Sequence, residues 1–273
     1  MTSFHEFVPV RQIDLTRQCV PLKEAAQTNS TLASMLKDGK IDLGDSHALS
    51  EYNKTVLQIK YGLEIQLPPG HLIPAVCLRS AFIQEVITPG QHILEVGTGS
   101  SAILAMIMGT IGCKVVATEA NERNSLFAQR NIEKNGLESQ IELRSCTPDK
   151  ILSGVVKENE RFDRIITYPP QYGKNWPVRF HGSQRGFGGQ ALELIGGNEG
   201  YEFAIHLVQE LTETSVLNSR GIIALLVLNT ELISKLAEEM RNMKWHYQII
   251  EILAGTRHRY IFKGAPTDET KIE

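Results

Sequence analysis

The apolar positions divide the chain into a less regular first part and a regular second part. From residue 91 onward, short apolar runs alternate with stretches whose apolar residues recur at helical spacing. Repeated strand–helix units of this length predict a parallel sheet that is covered by helices on both faces. The runs lie at residues 92–96, 114–118, 141–143, 162–168 and 221–228, and the helical stretches lie at residues 101–111, 121–135, 201–217 and 230–243.

The pattern changes again near the end of the chain. Apolar runs at residues 247–253 and 259–263 are separated only by a turn at Gly255, which leaves no room for a helix. We therefore predict an antiparallel hairpin at this point. The hairpin brings the predicted sheet to seven strands.

The part of the chain before the sheet predicts helices. Apolar residues recur at helical spacing over 48–60 and 76–86, and Pro68-Pro69-Gly70 breaks the chain between them. We expect an α/β domain with a Rossmann-like sheet at residues 89–264. A small N-terminal helical extension (1–88) would precede it, and a polar tail (265–273) would follow it.

Composition and charge exclude several classes of protein. The chain has 273 residues, of which 42% are hydrophobic and 22% are charged, as in ordinary globular domains. No apolar run approaches the roughly 18 residues of a membrane span, and no signal peptide is visible, so we expect no membrane partner and a cytoplasmic location. Four separated cysteines and eight ungrouped histidines predict neither a disulfide framework nor a metal site. With a net charge of −3, any nucleic-acid partner must be held by a local patch.

The residues ILEVGTGSS at 93–101 combine a strand, a glycine turn and the start of a helix. Gly97 and Gly99 let a ligand approach the backbone, and the helix N-terminus offers unpaired N–H groups. Twenty residues after Gly99, Glu119 ends the next strand, where a carboxylate accepts both ribose hydroxyls of an adenosine. This combination predicts a nucleoside-binding site. An ordinary tight turn with an acidic helix cap is the alternative.

Two cofactors fit this turn. The spacing Gly97-x-Gly99-x-x-Ala102 satisfies the dinucleotide fingerprint, which leaves an NAD(P) oxidoreductase open. Glu95 favours S-adenosylmethionine instead, because its carboxylate attracts an ammonium group and would repel a pyrophosphate. The terminal hairpin also fits a methyltransferase sheet better than a dehydrogenase sheet.

A second motif, Tyr168-Pro169-Pro170, closes the fourth predicted strand. Its two prolines fix the backbone and leave carbonyl groups outside the strand ladder. Ligands of open α/β sheets bind at this end of the strands, so the motif is a candidate acceptor site. A simple strand terminator is the alternative.

The stretch from 165 to 190 contains no Asp or Glu and interleaves basic with aromatic residues. This combination holds single-stranded nucleic acid, because cations bind phosphates and aromatic rings stack on bases. We therefore predict nucleic-acid contacts here, whereas a solvated lid is the alternative. The candidate residues are Tyr172, Lys174, Trp176, Arg179 and Arg185, and Arg257, His258 and Arg259 of the hairpin would extend the patch.

Together these motifs resemble the class I S-adenosylmethionine-dependent amino-methyltransferases. More narrowly, the chain resembles the adenine-N6 RNA methyltransferase family that includes human methyltransferase-like protein sixteen and the bacterial ribosomal RNA enzyme RlmF. The resemblance implies a class I methyltransferase sheet, S-adenosylmethionine as cofactor, and methyl transfer to N6 of an adenine in an RNA substrate. It extends from about residue 36 to residue 263 and also rests on KYGLEI (60–65), HLIPAVCLR (71–79), ATEAN (117–121), GGNEGYEF (196–203) and AGTRHRY (254–260).

The resemblance also implies roles for individual residues. Arg79 corresponds to the family residue that holds the methionine carboxylate of the cofactor. Tyr168, Pro169 and Pro170 correspond to the residues that position the acceptor nitrogen, which makes them the expected catalytic residues. The rest of the cofactor site would comprise Glu95, Gly97, Thr98, Gly99, Glu119 and Ala120.

One departure from the family concerns the acceptor motif, which reads Asn-Pro-Pro-Phe there. In the family, the Asn oxygen and a proline carbonyl accept hydrogen bonds from the exocyclic amine of adenine. This chain has Tyr168 in place of the Asn, and Gln171 in place of the Phe that stacks on the base, with Tyr172 as a displaced platform. A protein or small-molecule amine methyltransferase and a non-catalytic RNA-binding relative therefore stay open as alternatives.

Overall fold

A computed structural model describes residues 8–176 and 186–267 of the chain. Within these ranges the strands are β1 (Arg11–Asp14), β2 (His92–Val96), β3 (Lys114–Glu119), β4 (Ile141–Ser145), β5 (Phe162–Thr167), β6 (Tyr172–Gly173), β7 (Ile195–Gly197), β8 (Leu217–Val227), β9 (Trp245–Ala254) and β10 (Arg257–Pro266). The α-helices are α1 (Leu22–Thr28), α2 (Ser30–Ser34), α3 (Ser46–Tyr61), α4 (Val76–Val86), α5 (Ile103–Thr110), α6 (Glu122–Lys134), α7 (Ala191–Leu194), α8 (Glu202–Glu213) and α9 (Thr230–Asn242).

Eight of these strands form one sheet in the order β1-β9-β10-β8-β5-β2-β3-β4, and β6 pairs with β7 in a separate ribbon. Strands β8, β5, β2, β3 and β4 are parallel neighbours, whereas β10 runs antiparallel to both β8 and β9. The predicted Rossmann-like α/β sheet with its antiparallel terminal hairpin is confirmed. The chain proceeds from β2 to β3 on one side and later enters β5 on the other, and ligands bind at such a reversal of strand order.

The six predicted helices lie close to their expected positions, although α8 ends at Glu213 and not at residue 217, whereas α1, α2 and α7 were not predicted. Local caps fix the ends of some of them. The Asp45 side chain accepts the Ala48 N–H at the start of α3, and Gly62 ends that helix in a left-handed conformation with φ of 67°. Helix α5 begins two residues later than predicted, since Ala102 before it adopts φ of 49°. No helix within the described residues is long and apolar enough to cross a membrane.

The eighth strand of the main sheet, β1, was not predicted. Its four residues are mostly exposed and lack an alternating pattern, so the sequence carries no strand signal there. β1 pairs in parallel with β9 at the edge of the sheet. Strand β10 also extends to Pro266, into the expected tail, where it pairs with Trp245 of β9.

The sheet is covered on both faces, and the helices of the N-terminal segment form part of one cover. One core joins Val56 of α3 and Phe82 of α4 to α5 and to sheet residues such as Ile166. The other core joins Leu207 of α8 and Leu236 of α9 to the opposite face. Helix α4 is therefore fixed against the sheet, although the division into domains at residue 88 stays a prediction.

A buried carboxylate fixes the segment that follows β4. Glu210 of α8 accepts the backbone N–H groups of Ile151, Leu152 and Ser153, with nitrogen–oxygen distances of 3.0, 2.7 and 3.1 Å. Burial raises the pKa of Glu210, but these three donors lower it by more, so that its pKa lies below the ordinary value. The carboxylate therefore stays charged and ties α8 to the loop after β4.

Removal of this carboxylate should destabilise the fold. We expect Glu210→Ala to lower the free energy of unfolding at pH 7 by about 2–4 kcal/mol, because three N–H groups lose a charged acceptor. A carboxyl whose pKa is lowered by folding contributes stability above its unfolded pKa and loses it in acid, so the difference should shrink at pH 3. Urea unfolding at both pH values measures this. Glu213→Ala, on the exposed side of α8, is the matched control, and an equal loss in both variants contradicts the role of Glu210.

Candidate active site

A cavity of about 190 Å³ opens at the carboxyl ends of β2, β3, β4 and β5. Parallel strands present ligand sites at this edge, and the strand order reverses here. All the residues expected at the cofactor site line the cavity, together with Tyr168 and Pro170 of the acceptor motif. The expected cofactor residues are Arg79, Glu95, Gly97, Thr98, Gly99, Glu119 and Ala120.

Glu95 of β2 is a buried carboxylate in the wall of the cavity, with 1% of its surface exposed. The Thr98 hydroxyl donates a hydrogen bond to its Oε2 at 2.9 Å. Burial raises the pKa of Glu95 to about 7, although the Thr98 hydroxyl and the Ala105 N–H in the first turn of α5 oppose the rise. A cationic ligand group would compensate for the water that this carboxylate has lost.

The glycine turn after β2 is fixed by Glu119 at the end of β3. Gly97 and Gly99 adopt left-handed conformations, with φ of 75° and 68°, which glycine takes without steric strain. The Gly99 N–H donates to Glu119 Oε2 and the Asn121 N–H donates to Oε1, both at 2.8 Å. Burial raises the pKa of Glu119, and these donors oppose the rise. Because each carboxylate oxygen has a further lone pair, Glu119 can hold the turn and accept ligand hydroxyls as well.

Arg79 enters the cavity from α4, with 7% of its surface exposed. Its Cζ lies 4.8 Å from the centre of the Tyr168 ring. The one hydrogen bond that described residues provide to its guanidinium is long, 3.4 Å from Nη1 to the Ala75 carbonyl. Burial lowers the pKa of Arg79, whereas Tyr168 and Glu95 raise it. The guanidinium stays charged and has donors that no described residue uses.

The acceptor motif is clamped against the glycine-rich segment 196–200. A Cβ on Gly196 would lie 2.2 Å from the Pro170 carbonyl oxygen, so only glycine permits this approach. The Gln171 N–H donates to the Leu194 carbonyl at 3.1 Å, and β6 pairs with β7 immediately beyond. The Pro-Pro backbone is therefore held from outside the main sheet.

The glycine-rich segment is itself held by Glu202 at the start of α8. The Glu202 carboxylate accepts the backbone N–H groups of Glu199, Gly200 and Tyr201 at 3.0, 3.1 and 3.1 Å. An acidic residue is favourable at this end of a helix, where unpaired N–H groups converge. The segment, and through it the acceptor motif, is thus anchored to a long helix of the core.

Gln171, which takes the place of the family's base-stacking Phe and was therefore expected to bind substrate, has its side chain turned into the protein. Its surface is 4% exposed, and its Nε2 donates to the Leu226 carbonyl at 2.8 Å and to the Pro169 carbonyl at 3.3 Å. Its Oε1 accepts the Leu228 N–H at 2.8 Å. Since both ends of the amide are used inside the protein, Gln171 joins the acceptor motif to the end of β8.

The predicted stacking residues Tyr172 and Trp176 contact each other beside the cavity, together with Phe187, which was not among the predicted site residues. The ring centroids of Tyr172 and Trp176 are 3.9 Å apart, and Tyr172 stacks on Phe187 with centroids 6.3 Å apart. None of the three lines the cavity itself. They form an aromatic cluster next to the acceptor motif, on the side of the β6–β7 ribbon.

The predicted basic residues are described only in part. Lys174 is exposed at the end of β6, whereas Arg179 and Arg185 lie outside the described residues. Arg259 of β10 is half-buried. Burial raises the pKa of Tyr172, and Arg259 is close enough to oppose the rise, so the hairpin lies near the acceptor motif.

Several lining residues were not predicted from the sequence. Glu193 of α7 lines the cavity, and its Oε1 lies 3.3 Å from His71 Nδ1, which ties α7 to the segment before α4. Thr147 follows β4, so the rule that ligands bind at the carboxyl ends of parallel strands could have identified it. Leu192 and Phe203 had no local signal, because tertiary packing alone brings α7 and the start of α8 to the cavity.

The cavity thus presents the Arg79 guanidinium and the carboxylates of Glu95 and Glu119 around a glycine turn, and the Glu193 carboxylate, which pairs with His71, is a third acidic group in its lining. The part of the chain that the structure describes contains no group of three His, Cys, Asp or Glu residues that could hold a metal ion. Arg79 can bind a carboxylate, Glu95 an ammonium group and Glu119 a pair of hydroxyls. The arrangement suits an organic ligand that carries all three kinds of group.

The sheet with its terminal hairpin and this cavity define a methyltransferase of the Rossmann-like class. The chain belongs to a family of RNA methyltransferases, whose sequence profile matches residues 28–252. Enzymes of this class take their methyl group from S-adenosylmethionine. The resemblance, the enzyme class and the cofactor that the sequence predicted are therefore confirmed.

Individual relatives support the assignment. A protein of Methanocaldococcus jannaschii that bears the name of a methyltransferase is 35% identical over 243 residues, which are 82% of this chain and 88% of that protein. The U6 small nuclear RNA (adenine-(43)-N(6))-methyltransferase of Drosophila pseudoobscura pseudoobscura is 29% identical over 212 residues, which are 68% of this chain and 67% of that protein. The crystal structure of the human METTL16 catalytic domain in complex with hairpin 1 of the MAT2A 3′ untranslated region has a TM-score of 0.78 at 20% identity. It covers 91% of this chain and 92% of that chain, so the fold is shared over nearly the whole length.

The buried carboxylate of Glu95 should lower the stability of the ligand-free protein. Its pKa rises from 4.5 to about 7 on folding, so stability falls as the pH rises from about 4.5 to 7. The full penalty of about 3 kcal/mol applies above pH 7. We expect Glu95→Gln to be more stable than the wild type at pH 8 with a much smaller gain at pH 5, and to bind S-adenosylhomocysteine more weakly.

Thermal unfolding at both pH values and titration calorimetry measure these effects. Glu142→Gln is the control of opposite sign, because hydrogen bonds from Arg144 and Lys157 lower the pKa of Glu142 to about 2. That variant should lose stability at pH 8. The prediction is contradicted if Glu95→Gln gains no more stability over the wild type at pH 8 than at pH 5.

Proposed function

We propose that the protein transfers a methyl group from S-adenosylmethionine to N6 of an adenine in RNA. The observation that carries the proposal is the clamped Pro-Pro motif at the cavity that Arg79, Glu95 and Glu119 line. Membership in an RNA methyltransferase family supports it, and a relative at 29% identity is an adenine-N6 methyltransferase of U6 small nuclear RNA.

The charged residues of the cavity match the polar groups of the cofactor. S-adenosylmethionine supplies a methyl group on a positively charged sulfur and carries a carboxylate, an ammonium group and a ribose. Arg79 would bind the carboxylate with the donors that no described residue uses. Glu95 would accept from the ammonium group and Glu119 from the ribose hydroxyls. A dinucleotide would instead bring a pyrophosphate near Glu95, where like charges repel.

The acceptor motif provides carbonyl oxygens that can orient an amine. The Pro169 carbonyl receives the long hydrogen bond from Gln171 and still has a lone pair for an N–H of the substrate. Alignment of reactants is worth up to about 7–11 kcal/mol, so positioning supplies most of the catalysis and no strong general base is needed.

The surface beside the motif supports the proposal that the substrate adenine is part of an RNA strand. The aromatic cluster of Tyr172, Trp176 and Phe187 lies there, with Lys174 and Arg259 close to it. Unpaired bases stack on aromatic rings, and cations bind the phosphates between them. Such a surface can hold a single-stranded segment while one base enters the cavity.

Methylation of RNA tests the proposal directly. The purified chain would be incubated with total RNA and labelled S-adenosylmethionine, and the RNA would be digested to nucleosides for analysis. We expect the label in N6-methyladenosine. Label in added protein or in small amines, and not in RNA, would favour a different amine acceptor. Binding of RNA without any label transfer would favour a non-catalytic relative.

Substitution of the clamping glycine should affect turnover and not cofactor binding. We expect Gly196→Ala to lower kcat by about 100-fold, because its Cβ at 2.2 Å from the Pro170 oxygen must displace the acceptor motif. Affinity for S-adenosylhomocysteine should stay close to that of the wild type. Gly109→Ala in α5 is the matched control, since its Cβ would meet only side-chain atoms at 3.5 Å. A similar loss of kcat in both variants contradicts the clamp.

Charge and stacking should leave different signatures in RNA binding. Lys174→Ala and Arg259→Ala should each reduce the slope of log affinity against log salt by about 0.7, the value for one lost phosphate contact on a single strand. Trp176→Ala should cost about 1–3 kcal/mol with little change in that slope. Lys114→Ala is the control, because Lys114 lies at the amino end of β3 and the cavity lies at the carboxyl ends of the strands. It should change neither the affinity nor the slope. Wild-type affinity and slope in the Lys174 and Arg259 variants would exclude this surface as the RNA site.

A further inference from the structure

The residue that replaces the family's Asn in the acceptor motif contacts the cofactor side of the cavity. Tyr168 follows β5, and its ring centre lies 4.8 Å from the Cζ of Arg79. The same ring packs against the core that contains α4. Its hydroxyl forms no hydrogen bond with any residue that the structure describes. The ring, and not the hydroxyl, therefore makes the contacts at this position.

The orientation of the Arg79 side chain depends on the contact with the Tyr168 ring, because the buried guanidinium has few hydrogen-bonding partners. Its guanidinium has one hydrogen bond of 3.4 Å to the Ala75 carbonyl and no ion pair within the described residues. A guanidinium over an aromatic face is attracted by the ring quadrupole, and the planar group stacks in a defined orientation. The Tyr168 ring can thus fix the plane of the guanidinium without occupying its N–H donors.

We propose that Tyr168 is a positioning residue for the cofactor: its ring holds the Arg79 guanidinium where the cofactor carboxylate binds. Its hydroxyl takes no part in binding the acceptor amine, which is left to the Pro-Pro carbonyls. This inference rests on the proposed function, in which Arg79 binds that carboxylate. In this chain the first residue of the motif thus serves the cofactor, whereas the two prolines that follow it serve the acceptor amine.

Three substitutions separate the ring from the hydroxyl. Tyr168→Phe keeps the aromatic face and removes only the hydroxyl. Tyr168→Leu keeps an apolar side chain and removes the aromatic face. Tyr168→Asn restores the residue of the family motif and also removes the ring.

Titration calorimetry with two ligands provides the test. S-adenosylhomocysteine carries the amino-acid carboxylate, whereas 5′-methylthioadenosine has the same nucleoside and thioether without it. We expect Tyr168→Leu and Tyr168→Asn to bind S-adenosylhomocysteine about 2- to 30-fold more weakly, the range that cation–π contacts provide. Tyr168→Phe should bind it as the wild type does. All three variants should bind 5′-methylthioadenosine with wild-type affinity, which also shows that they are folded.

A double-mutant cycle tests whether the effect passes through Arg79. In an Arg79→Ala background, Tyr168→Leu should cause no further loss of affinity for S-adenosylhomocysteine. Tyr247→Leu, which removes a partly exposed ring of β9 that does not line the cavity, is the matched control. It should bind both ligands normally.

The outcomes distinguish this inference from the proposed function. If the wild type binds neither ligand, the proposed function fails whatever Tyr168 does. If the wild type binds S-adenosylhomocysteine and Tyr168→Leu binds it equally well, the inference is wrong and the proposed function stands. An equal loss for both ligands would mean that Tyr168 only supports the fold, and a loss in Tyr168→Phe as large as in Tyr168→Leu would assign the effect to the hydroxyl.

Discussion

Two buried charges of opposite sign, Glu95 and Arg79, place the strongest physical constraint on this structure. Each is almost fully excluded from water, and neither has an ion pair with a described residue. They attract one another across the cavity, but a buried charge without a direct partner remains costly. The surrounding core must offset this cost until a ligand with complementary charges binds. The free-energy cost of these buried charges is therefore highest when the cavity is empty. A zwitterionic ligand, which carries both a positive and a negative group, would lower it most.

This constraint explains how the N-terminal segment contributes to the cavity. Glu95 belongs to the central strand β2, but Arg79 belongs to α4, which precedes the sheet. Helix α4 shares a core with α5 and the sheet, and His71 and Glu193 tie the segment before it to α7. The two charges can face one cavity only because these contacts fix α4 in position. Loss of packing around α4 would therefore affect the cofactor site as directly as loss of Arg79 itself.

The acceptor side depends on backbone geometry more than on titratable groups. Gly196 lets a neighbouring segment approach the Pro170 carbonyl, and Gln171 joins the motif to the end of β8. These contacts fix the positions of carbonyl oxygens. They involve no ionised group, so they carry no free-energy cost for the burial of a charge. A methyl transfer needs alignment of the acceptor nitrogen more than proton transfer, so a rigid backbone suits the reaction. The two sides of the cavity thus differ physically: one carries buried charges that a ligand can compensate, and the other carries carbonyl groups that backbone packing fixes.

The sequence by itself determined the alternation of strands and helices from β2 to β5, helices α8 and α9, the terminal hairpin, and a set of residues that line one cavity. These features depend on local signals: hydrophobic period, glycine conformation, and the ends of consecutive strands. It did not determine β1, because a four-residue exposed edge strand has no pattern and pairs with a strand from the far end of the chain. Nor did it determine that Gln171 points inward or that Tyr168 contacts Arg79. The direction of a side chain after a strand end depends on what packs there, and here β8 and α4, which are distant in sequence, decide it.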